Sequence, residues 1–375
     1  MSASAVNVSD AVWSEEGTTP DATEAALREL LIEKHAENGG FVPARVLNMI
    51  VFVESVYSGE IANRLHSVGR YHPSRTVVLS YEPRRERLNA RVSIASEGDP
   101  GPNEVAPLRE TAIVEIGERH LDDLATIADP LVVSDLPTLL WSPHGHPEAA
   151  DALLGLAQAT LIDSIEQPVW SAAIERACAL SERLYVVDLA WLRSTPWRER
   201  IAATFDPAGM RPELSSLELL EVRHHPDSTV AAMLLVGWLA SRLGWELDPA
   251  EMEGHRRTGP DGALAGSART REGDRVELRL RAAAELRVPG LAGMRLRSRS
   301  GLQIDLDRGP GGLHARRRDR HGSEREWTLL GASRGEGGIL GEGIRQALLR
   351  DPTYLPALHA ARALLPQAET GAAAA

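Results

Sequence analysis

The chain has 375 residues, of which 43% are apolar and 25% charged, as in an ordinary globular protein. Its formal net charge of −12 argues against nucleic acid as the main partner, because neutralising phosphates requires a basic surface. Lys34 is the single lysine and follows no glycine loop, which excludes a P-loop and argues against a Schiff-base enzyme. Cys178 is the single cysteine, which excludes an internal disulfide and a cysteine-rich zinc site.

The sequence predicts no membrane span and no secretory signal. Its longest apolar run, residues 230–240, is much shorter than the roughly 20 residues that a spanning helix needs. The first residues do not follow the pattern of a signal peptide. We therefore expect a cytoplasmic protein.

The first part of the chain predicts an α/β domain. Residues 1–19 lack hydrophobic periodicity and are expected to be disordered, and a helix at 21–37 follows. The strands of this part are expected at 46–53, 76–79, 90–95 and 112–116. A helix that ends before Pro73 joins the first two strands into a βαβ unit with parallel strands, whereas the alternating pattern of the last two predicts antiparallel strands.

From residue 121 onward strands and helices alternate, which predicts a parallel sheet with helices on both faces. The strands are expected at 136–141, 160–165, 184–189 and 217–222, and the helices at 148–156, 170–180, after Pro196 and at 230–243 with Gly244 as its end. The segment 251–273 is charged and glycine-rich, which indicates a long loop. Further strands are expected at 276–286, 303–306 and 325–330, and a terminal helix at 343–364 interrupted near Pro352 and Pro356.

These elements predict an α/β fold of mostly parallel sheets with helices on both faces, plus a C-terminal β-rich or α+β portion. The expected segments are a disordered N-terminus at 1–19, an N-terminal α/β domain at 20–165, a C-terminal domain at 166–365 that carries the β-rich extension and the terminal helix, and a disordered tail at 366–375.

Residues 184–198 form the stretch in which a ligand or partner site is most strongly indicated. A short buried strand leads through a loop to a helix start, and this is how α/β sheets present side chains at their carboxyl edge. The stretch carries Asp188, Trp191, Arg193 and Arg198, which we consider candidate binding residues. The alternative is structural: the tryptophans belong to the core and Asp188 caps the next helix.

The remaining motifs do not support an active site. His144 and His146 have the spacing of metal ligands, but Pro143 and Pro147 beside them indicate a solvent loop, so we expect no metal. Residues 331–335 match a serine-hydrolase elbow but are followed by glycines instead of a helix. The arginines at 316–318 and 320 are most simply a solvated loop, with a contact to an acidic partner as the alternative.

Five short motifs in order resemble the OpcA family of glucose-6-phosphate dehydrogenase assembly proteins. They are His72-Pro73-Ser74-Arg75 before a strand, Asp135-Leu136-Pro137 leading to Trp141, Ile162-Asp163-Ser164, Asp188-Leu189-Ala190-Trp191 with Thr195-Pro196-Trp197-Arg198, and the run 237–245 that contains Trp238. The resemblance covers about residues 38–245 well and the rest loosely.

The resemblance implies a protein without catalytic residues or cofactor that contacts glucose-6-phosphate dehydrogenase and promotes its assembly or activity. Arg75, which follows Ser74 at the amino edge of the sheet, joins the candidate partner-binding residues, while the other motif residues are expected to be structural. We expect no nucleic-acid or membrane partner, and the protein's own oligomeric state is left open. Two features depart from the family: the lone Cys178 cannot support redox control by an internal disulfide, and Ala190 stands where a polar residue is expected.

The competing hypothesis is a sugar-phosphate-binding α/β enzyme that uses Asp188, Arg193 and Arg198 at the sheet edge. A third is a scaffold with no fixed enzyme partner. Both remain open from the sequence.

Overall fold

The computed structural model describes residues 11–69, 73–96, 100–101, 104–253, 263–330 and 335–366. Within these ranges the strands are β1 (Ala11–Glu16), β2 (Phe41–Pro43), β3 (Leu47–Glu54), β4 (Ser74–Tyr81), β5 (Asn89–Ser96), β6 (Ala106–Ile116), β7 (Thr138–Trp141), β8 (Ala159–Ile162), β9 (Tyr185–Asp188), β10 (Leu217–His224), β11 (Glu246–Leu247), β12 (Glu251–Glu253), β13 (Ala263–Arg269), β14 (Arg275–Ala282), β15 (Leu291–Ser298), β16 (Gln303–Gly309), β17 (Gly312–Arg318) and β18 (Glu324–Leu330).

The α-helices of the same ranges are α1 (Pro20–Glu37), α2 (Ser58–Gly69), α3 (Leu124–Ala128), α4 (Pro147–Leu153), α5 (Trp170–Ser181), α6 (Leu189–Arg193), α7 (Thr195–Phe205), α8 (Pro212–Ser215), α9 (Thr229–Leu243), α10 (Gly335–Leu349) and α11 (Tyr354–Ala363). None of these helices is both long and apolar enough to cross a lipid bilayer.

The first sheet has the strand order β1-β5-β6-β4-β3-β7-β8-β9, with β2 beside β6. The central strands β6, β4, β3, β7 and β8 are parallel, whereas β1, β5 and β6 pair antiparallel. From β6 to β9 this is the order 3-2-1-4-5-6 of a doubly wound sheet. The α/β class and the parallel strands of the βαβ unit are therefore confirmed.

Strand β3 lies at the centre of this sheet and is buried along nearly its whole length. The side chains that are at most 1% exposed are Leu47, Asn48, Met49, Ile50, Val51, Phe52 and Val53. Because successive side chains of a strand point to opposite faces, burial of consecutive residues means that both faces of β3 are covered.

The expectation that residues 1–19 are disordered is wrong for residues 11–19. Ala11–Glu16 form β1, which pairs antiparallel with β5 along its full length, and the Thr19 hydroxyl caps α1 by accepting from the Ala22 amide at 3.2 Å. Only Trp13 and Ala11 of β1 pack on the core, so the strand shows little apolar pattern of its own. Residues 1–10 lie outside the described ranges, as does the expected tail from residue 367.

The second sheet has the order β11-β13-β14-β10-β15-β16-β17-β18, with β12 beside β13. Strand β10 is parallel to β14, and the other neighbouring strands of this sheet pair antiparallel. The predicted strands at 276–286, 303–306 and 325–330 correspond to β14, β16 and β18. The expected β-rich C-terminal portion is confirmed.

Two predicted loops of this portion are wrong. The segment 251–273 contains β12 and β13, and its residues 254–262 lie outside the described ranges. Strand β13 pairs with β14 and buries Leu264 and Ala268. Its alanines, glycine and serine give the sequence no clear alternation of apolar and polar residues, which is why the strand was not predicted. The arginines 316–318 belong to β17 instead of a solvated loop, because hairpin pairing with the next strand, β18, supplies a glutamate beside Arg316 and Arg318. Strand β15 is not predicted from the sequence at all.

Helix α9 is buried on nearly every side, as its apolar sequence predicts, and Gly244 ends it in the left-handed conformation with φ of 68°. The terminal helix is in fact two helices, α10 and α11, that separate around Pro352 as expected. Pro356 does not interrupt a helix, since it lies in the first turn of α11, where a proline is tolerated.

The described residues divide into two compact units whose chain segments are interleaved. The first comprises the residues up to Ile162 with Leu184–Val187 and Glu336–Leu349, and the second comprises Asp163–Arg183, Asp188–Gly335 and the residues from Arg350 onward. The sequence places the boundary between residues 165 and 166. The chain crosses between units more often than expected, because the strand that includes residues 185–187 belongs to the first sheet.

Candidate functional site

Asp188 is the last residue of β9, as predicted for a residue at the carboxyl end of a strand, and its side chain is 0% exposed. Its Oδ1 accepts hydrogen bonds from the Ala190 amide at 2.9 Å and the Ser164 amide at 3.2 Å, and its Oδ2 accepts from the Ser164 hydroxyl. The bond from Ala190 caps α6. Both carboxylate oxygens are therefore used inside the protein.

Burial is the main cause that raises the pKa of Asp188 to about 6, and the nearby charge of Asp163 raises it further. The hydrogen bonds from Ser164 and Ala190 act in the opposite direction, because they stabilise the charged form. The carboxyl group therefore changes its protonation state within the mildly acidic range.

Arg193 and Asp163 form a two-pronged ion pair. The Nη1 and Nη2 groups of Arg193 donate to Oδ1 and Oδ2 of Asp163, each at 2.8 Å. Both side chains are largely buried, at 15% and 7% exposure. The two parallel hydrogen bonds are the usual bidentate geometry of a guanidinium and a carboxylate. These two donor groups of Arg193 are therefore already used by a carboxylate of the protein itself.

Arg198 lies over the indole ring of Trp191, with its guanidinium carbon 3.4 Å from the ring centroid. Its Nη2 also donates to the Trp191 carbonyl at 3.1 Å and the Thr195 hydroxyl at 2.9 Å, and its Nε donates to the Ser194 hydroxyl at 3.2 Å. Burial lowers the pKa of Arg198 to about 10, against the opposing charge of Asp351, and the side chain stays charged at neutral pH.

Asp351 completes this cluster and was not found from the sequence. Its Oδ2 accepts from the Trp191 indole nitrogen at 2.9 Å and lies 3.8 Å from Nη1 of Arg198. Burial would raise the pKa of Asp351, but hydrogen bonds from Thr353 and Trp191 together with the charge of Arg198 lower it. The available signal was an Asp-Pro pair at a helix break, which is typical of a turn and not specific for this contact.

The loop expected after the strand is instead helix α6, which begins immediately at Leu189 because Asp188 caps it. Trp191 and Trp197 are both buried, at 1% and 3% exposure. This geometry corresponds to the structural alternative for the stretch. Recognition of a partner by Asp188, Trp191, Arg193 or Arg198 remains a prediction, and it requires that the internal bonds described here open.

Arg75 at the start of β4 is also buried and paired. Its Nε donates to the Glu110 carboxylate at 2.7 Å, and Arg45 donates to the other oxygen of the same carboxylate. Glu110 is 1% exposed, so its charge depends on these two arginines. His72 lies outside the described ranges, Pro73 is half-buried, and the Ser74 hydroxyl contacts the Thr76 hydroxyl at 3.2 Å.

The motif before β7 is anchored by Asn48, a residue that the sequence analysis missed. Its Nδ2 donates to the Val133 carbonyl at 2.8 Å and the Leu136 carbonyl at 3.3 Å, and its Oδ1 accepts from the Val133 amide at 2.9 Å. Asp135 and Pro137 of this motif are exposed, whereas Trp141 is buried. An asparagine inside a continuous apolar strand was the available signal, since a buried amide needs partners.

The doubly wound order raises the question of a dinucleotide, which such sheets bind where the strand order reverses. Here that point lies between β3 and β7, so the segments after Glu54 and Trp141 define it. A pyrophosphate needs a glycine-rich turn and no negative charge beside it. Strand β3 instead ends at Glu54. The chain then continues through Ser55, Val56 and Tyr57, and its first glycine after the strand is Gly59.

Side chains fill this edge of the first sheet. The Tyr57 ring stacks on His144 with centroids 4.4 Å apart, and Nε2 of His146 lies 3.2 Å from Oε1 of Glu54. His144 and His146 both adopt φ of 63°, a costly conformation that these contacts hold. The residues present do not fit a dinucleotide.

In the described ranges no group of three or more histidine, cysteine, aspartate or glutamate side chains lies close enough to hold a metal ion. Cys178 is buried on α5, and burial raises the pKa of its thiol, which keeps it protonated and unreactive at neutral pH. Trp238, the last of the motif tryptophans, is half-buried on α9.

The fold is similar to that of an oxidoreductase from Sinorhizobium meliloti. The TM-score is 0.51 at 13% identity, over 86% of this chain and 95% of that one. At this identity the likeness concerns the fold alone.

Curated relatives are found among cyanobacterial proteins named putative OxPP cycle protein OpcA. The protein of Synechococcus elongatus is 26% identical over 141 residues, which are 36% of this chain and 32% of that protein. The protein of Synechocystis is 26% identical over 129 residues, 33% of this chain and 27% of the relative. The chain thus matches only about a third of the length of these relatives.

Two family domains match consecutive parts of the chain. Residues 66–179 match the glucose-6-phosphate dehydrogenase subunit N-terminal domain, and residues 184–358 match the C-terminal domain of the same family. The two matches together account for most of the chain and include the motifs from Pro73 to Trp238. The chain therefore belongs to the OpcA family of glucose-6-phosphate dehydrogenase subunits.

Proposed function

We propose that this protein is a non-catalytic partner that binds glucose-6-phosphate dehydrogenase directly and promotes its assembly or raises its activity. The observation that carries the proposal is the match of both domains of a family described as a subunit of that dehydrogenase. The names of the curated relatives, which refer to the oxidative pentose phosphate cycle, support the same pathway.

The polar side chains of the candidate site are already bonded within the protein, which supports a non-catalytic role. A catalytic or sugar-phosphate-binding group must offer a free polar atom to its substrate. The carboxylate oxygens of Asp188 accept hydrogen bonds from Ser164 and Ala190, Arg193 is paired with Asp163, and Arg198 packs against Trp191. A sugar-phosphate enzyme built on these three side chains would have to break each of those contacts first.

The direct test is to titrate the purified protein into glucose-6-phosphate dehydrogenase from the same organism. We expect the initial rate to rise to a plateau, or the scattering mass of the dehydrogenase to increase, as the partner saturates. Serum albumin at equal concentration controls for nonspecific protection. A flat rate together with an unchanged mass across the titration would contradict the proposal.

The non-catalytic part of the proposal needs a separate assay. The protein alone is incubated with glucose 6-phosphate and NADP, and with a panel of other sugar phosphates, and products are followed by mass spectrometry. We expect no turnover. Turnover that disappears in the Asp188→Asn variant would instead establish the enzyme hypothesis.

A further inference from the structure

Strand β18 is the last strand of the second sheet. Among the described residues no strand pairs with its outer edge. Its seven residues pair with β17 in one continuous register without a bulge, and none of them is a proline. Proteins usually protect such edges with bulges, prolines, charged side chains or a covering segment, because a free edge is a template for another strand. Edge β18, as we call residues 324–330, has neither a bulge nor a proline, and its charged side chains are confined to residues 324–326.

The hydrogen bonding in the turn between β17 and β18 identifies which backbone groups of β18 point outward. The Asp319 amide donates to the Ser323 carbonyl at 3.0 Å, so these residues form a hydrogen-bonded pair. Hydrogen-bonded and non-hydrogen-bonded pairs alternate along an antiparallel ladder. Residues 324, 326, 328 and 330 therefore direct their amides and carbonyls away from β17, and Leu330 is 81% exposed.

One face of edge β18 carries arginines without carboxylate partners in the described ranges. Arg325 lies directly opposite Arg317 of β17, and such a pair of like charges destabilises a sheet. On the same face the guanidinium carbon of Arg200 from α7 lies 5.1 Å from the ring centroid of Trp327. On the other face, Arg316 and Arg318 are paired with glutamates of β18. Apart from Asp319, whose charge interacts with that of Arg317, the positive charge of this face is uncompensated within the described residues.

Two hydrogen-bond donors on that face also lack acceptors. Nε of Arg200 and the indole nitrogen of Trp327 are buried atoms without a hydrogen-bond partner among the described residues. A buried donor without an acceptor destabilises the fold, and an acceptor on a bound partner would remove that cost. A depression of about 360 Å³ opens mainly on the other face, where Asp307, His314, Glu326 and Thr328 line it, so the depression itself does not select an acidic segment.

We propose that edge β18 binds an extended acidic segment of a partner protein by strand addition. The segment's backbone pairs with the outward groups of residues 324, 326, 328 and 330, and its carboxylates lie beside Arg200, Arg317 and Arg325. Charge complementarity selects an acidic segment, and the row of backbone groups selects a polypeptide, since nucleic acid has no amide ladder to add. The inference goes beyond the proposed function, because it does not depend on which protein supplies the segment.

The backbone part is tested with a matched pair of variants at Thr328. Thr328→Pro and Thr328→Ala both remove the hydroxyl that contacts His314 at 3.0 Å, but only proline removes an outward amide. The probe is a fluorescein-labelled decapeptide of alternating valine and glutamate, measured by anisotropy. We expect binding to Thr328→Ala at the wild-type affinity and to Thr328→Pro roughly tenfold more weakly.

The charge part is tested with Arg325→Glu against Arg91→Glu, which reverses an exposed arginine on β5 of the first unit. We expect Arg325→Glu to weaken binding of the acidic peptide roughly tenfold and Arg91→Glu to leave its affinity unchanged. A decapeptide of alternating valine and lysine should not bind the wild type. Circular dichroism establishes that each variant is folded.

Three results would overturn the proposal. The first is no binding of the acidic peptide by folded wild-type protein at millimolar concentration, and the second is equal binding by the two Thr328 variants. The third concerns a second copy of this chain as the occupant. A wild-type dimer in light scattering that becomes a monomer in Thr328→Pro would assign the edge to self-association instead.

Discussion

Asp188 shows how one buried carboxyl group links stability to pH. Its pKa rises from the ordinary 3.8 to about 6 in the folded chain, so the folded protein binds this proton more tightly than the unfolded chain does. The stability that it contributes is fully present below about pH 3.8 and is lost as the pH rises through about 6. At about 1.4 kcal/mol per pKa unit, the contribution is roughly 3 kcal/mol.

Replacing Asp188 with asparagine should remove this dependence. The amide keeps an oxygen for the Ser164 and Ala190 amides and can donate to the Ser164 hydroxyl, so the cap survives. We expect the unfolding free energy of Asp188→Asn to gain roughly 2 kcal/mol relative to wild type between about pH 4 and pH 7. Urea unfolding at several pH values measures it, with Asp206→Asn, an exposed aspartate, as the control. A constant difference across that range would contradict the assignment.

The arginines of the same stretch should behave as structural residues. Removing Arg193 leaves Asp163, which is 7% exposed, as a buried charge without its main partner, and such a loss costs about 3–5 kcal/mol. The half-exposed pair of Arg362 and Glu175 in the same unit provides a matched control, where Arg362→Ala should cost less than about 1 kcal/mol. Chemical unfolding compares the two. Equal costs would favour the recognition role that the sequence suggests for Arg193.

At the scale of elements, helices α9 and α11 approach each other where Gly237 has no side chain. A Cβ atom at Gly237 would collide with the backbone carbonyl of Ala357 and the amide of Ala361. We expect Gly237→Ala to push the helices apart and to lower the unfolding free energy by about 1–3 kcal/mol, in spite of alanine's better helix propensity.

Gly341→Ala on α10 is the matched control, since nothing lies within 4 Å of its Cβ position. This change should stabilise the protein by about 0.5–1 kcal/mol. Thermal melts of both variants decide the question. A Gly237→Ala protein as stable as Gly341→Ala would mean that the helices do not pack as closely as described.

The elements that the sequence predicts well are those whose signal is local. Strand β3 has a continuous apolar run, and α9 has both an apolar surface and the Gly244 cap. Strands β1, β13 and β17 were missed because partners elsewhere in the chain make them strands, not their own residues. The candidate site divides in the same way: the stretch with Asp188 and Trp191 was found, but the hydrogen bond from Trp191 to Asp351 joins residues 160 positions apart.

At the scale of the whole molecule, the strand order of the first sheet suggests a dinucleotide site, whereas the residues at that site do not suit a dinucleotide. The first sheet repeats the order of dinucleotide-binding proteins, but a fold does not determine a function without the residues of the site. In this chain burial raises the pKa of Tyr81 at the same edge, and the negative charges of Glu118 and Glu54 raise it further. These two carboxylates oppose the binding of a pyrophosphate.

We therefore expect neither NADPH nor NADH to bind with a dissociation constant below about 1 mM, a level at which the interaction energy is only about 4 kcal/mol. Nicotinamide fluorescence and the shift of the thermal melt give two independent readouts, and a dinucleotide-dependent dehydrogenase serves as the positive control. The stack of Tyr57 on His144 makes the prediction specific, because it fills the edge that a dinucleotide would need. Micromolar binding that is strengthened in Tyr57→Ala would contradict the prediction and would show that a dinucleotide pocket persists beneath the stack.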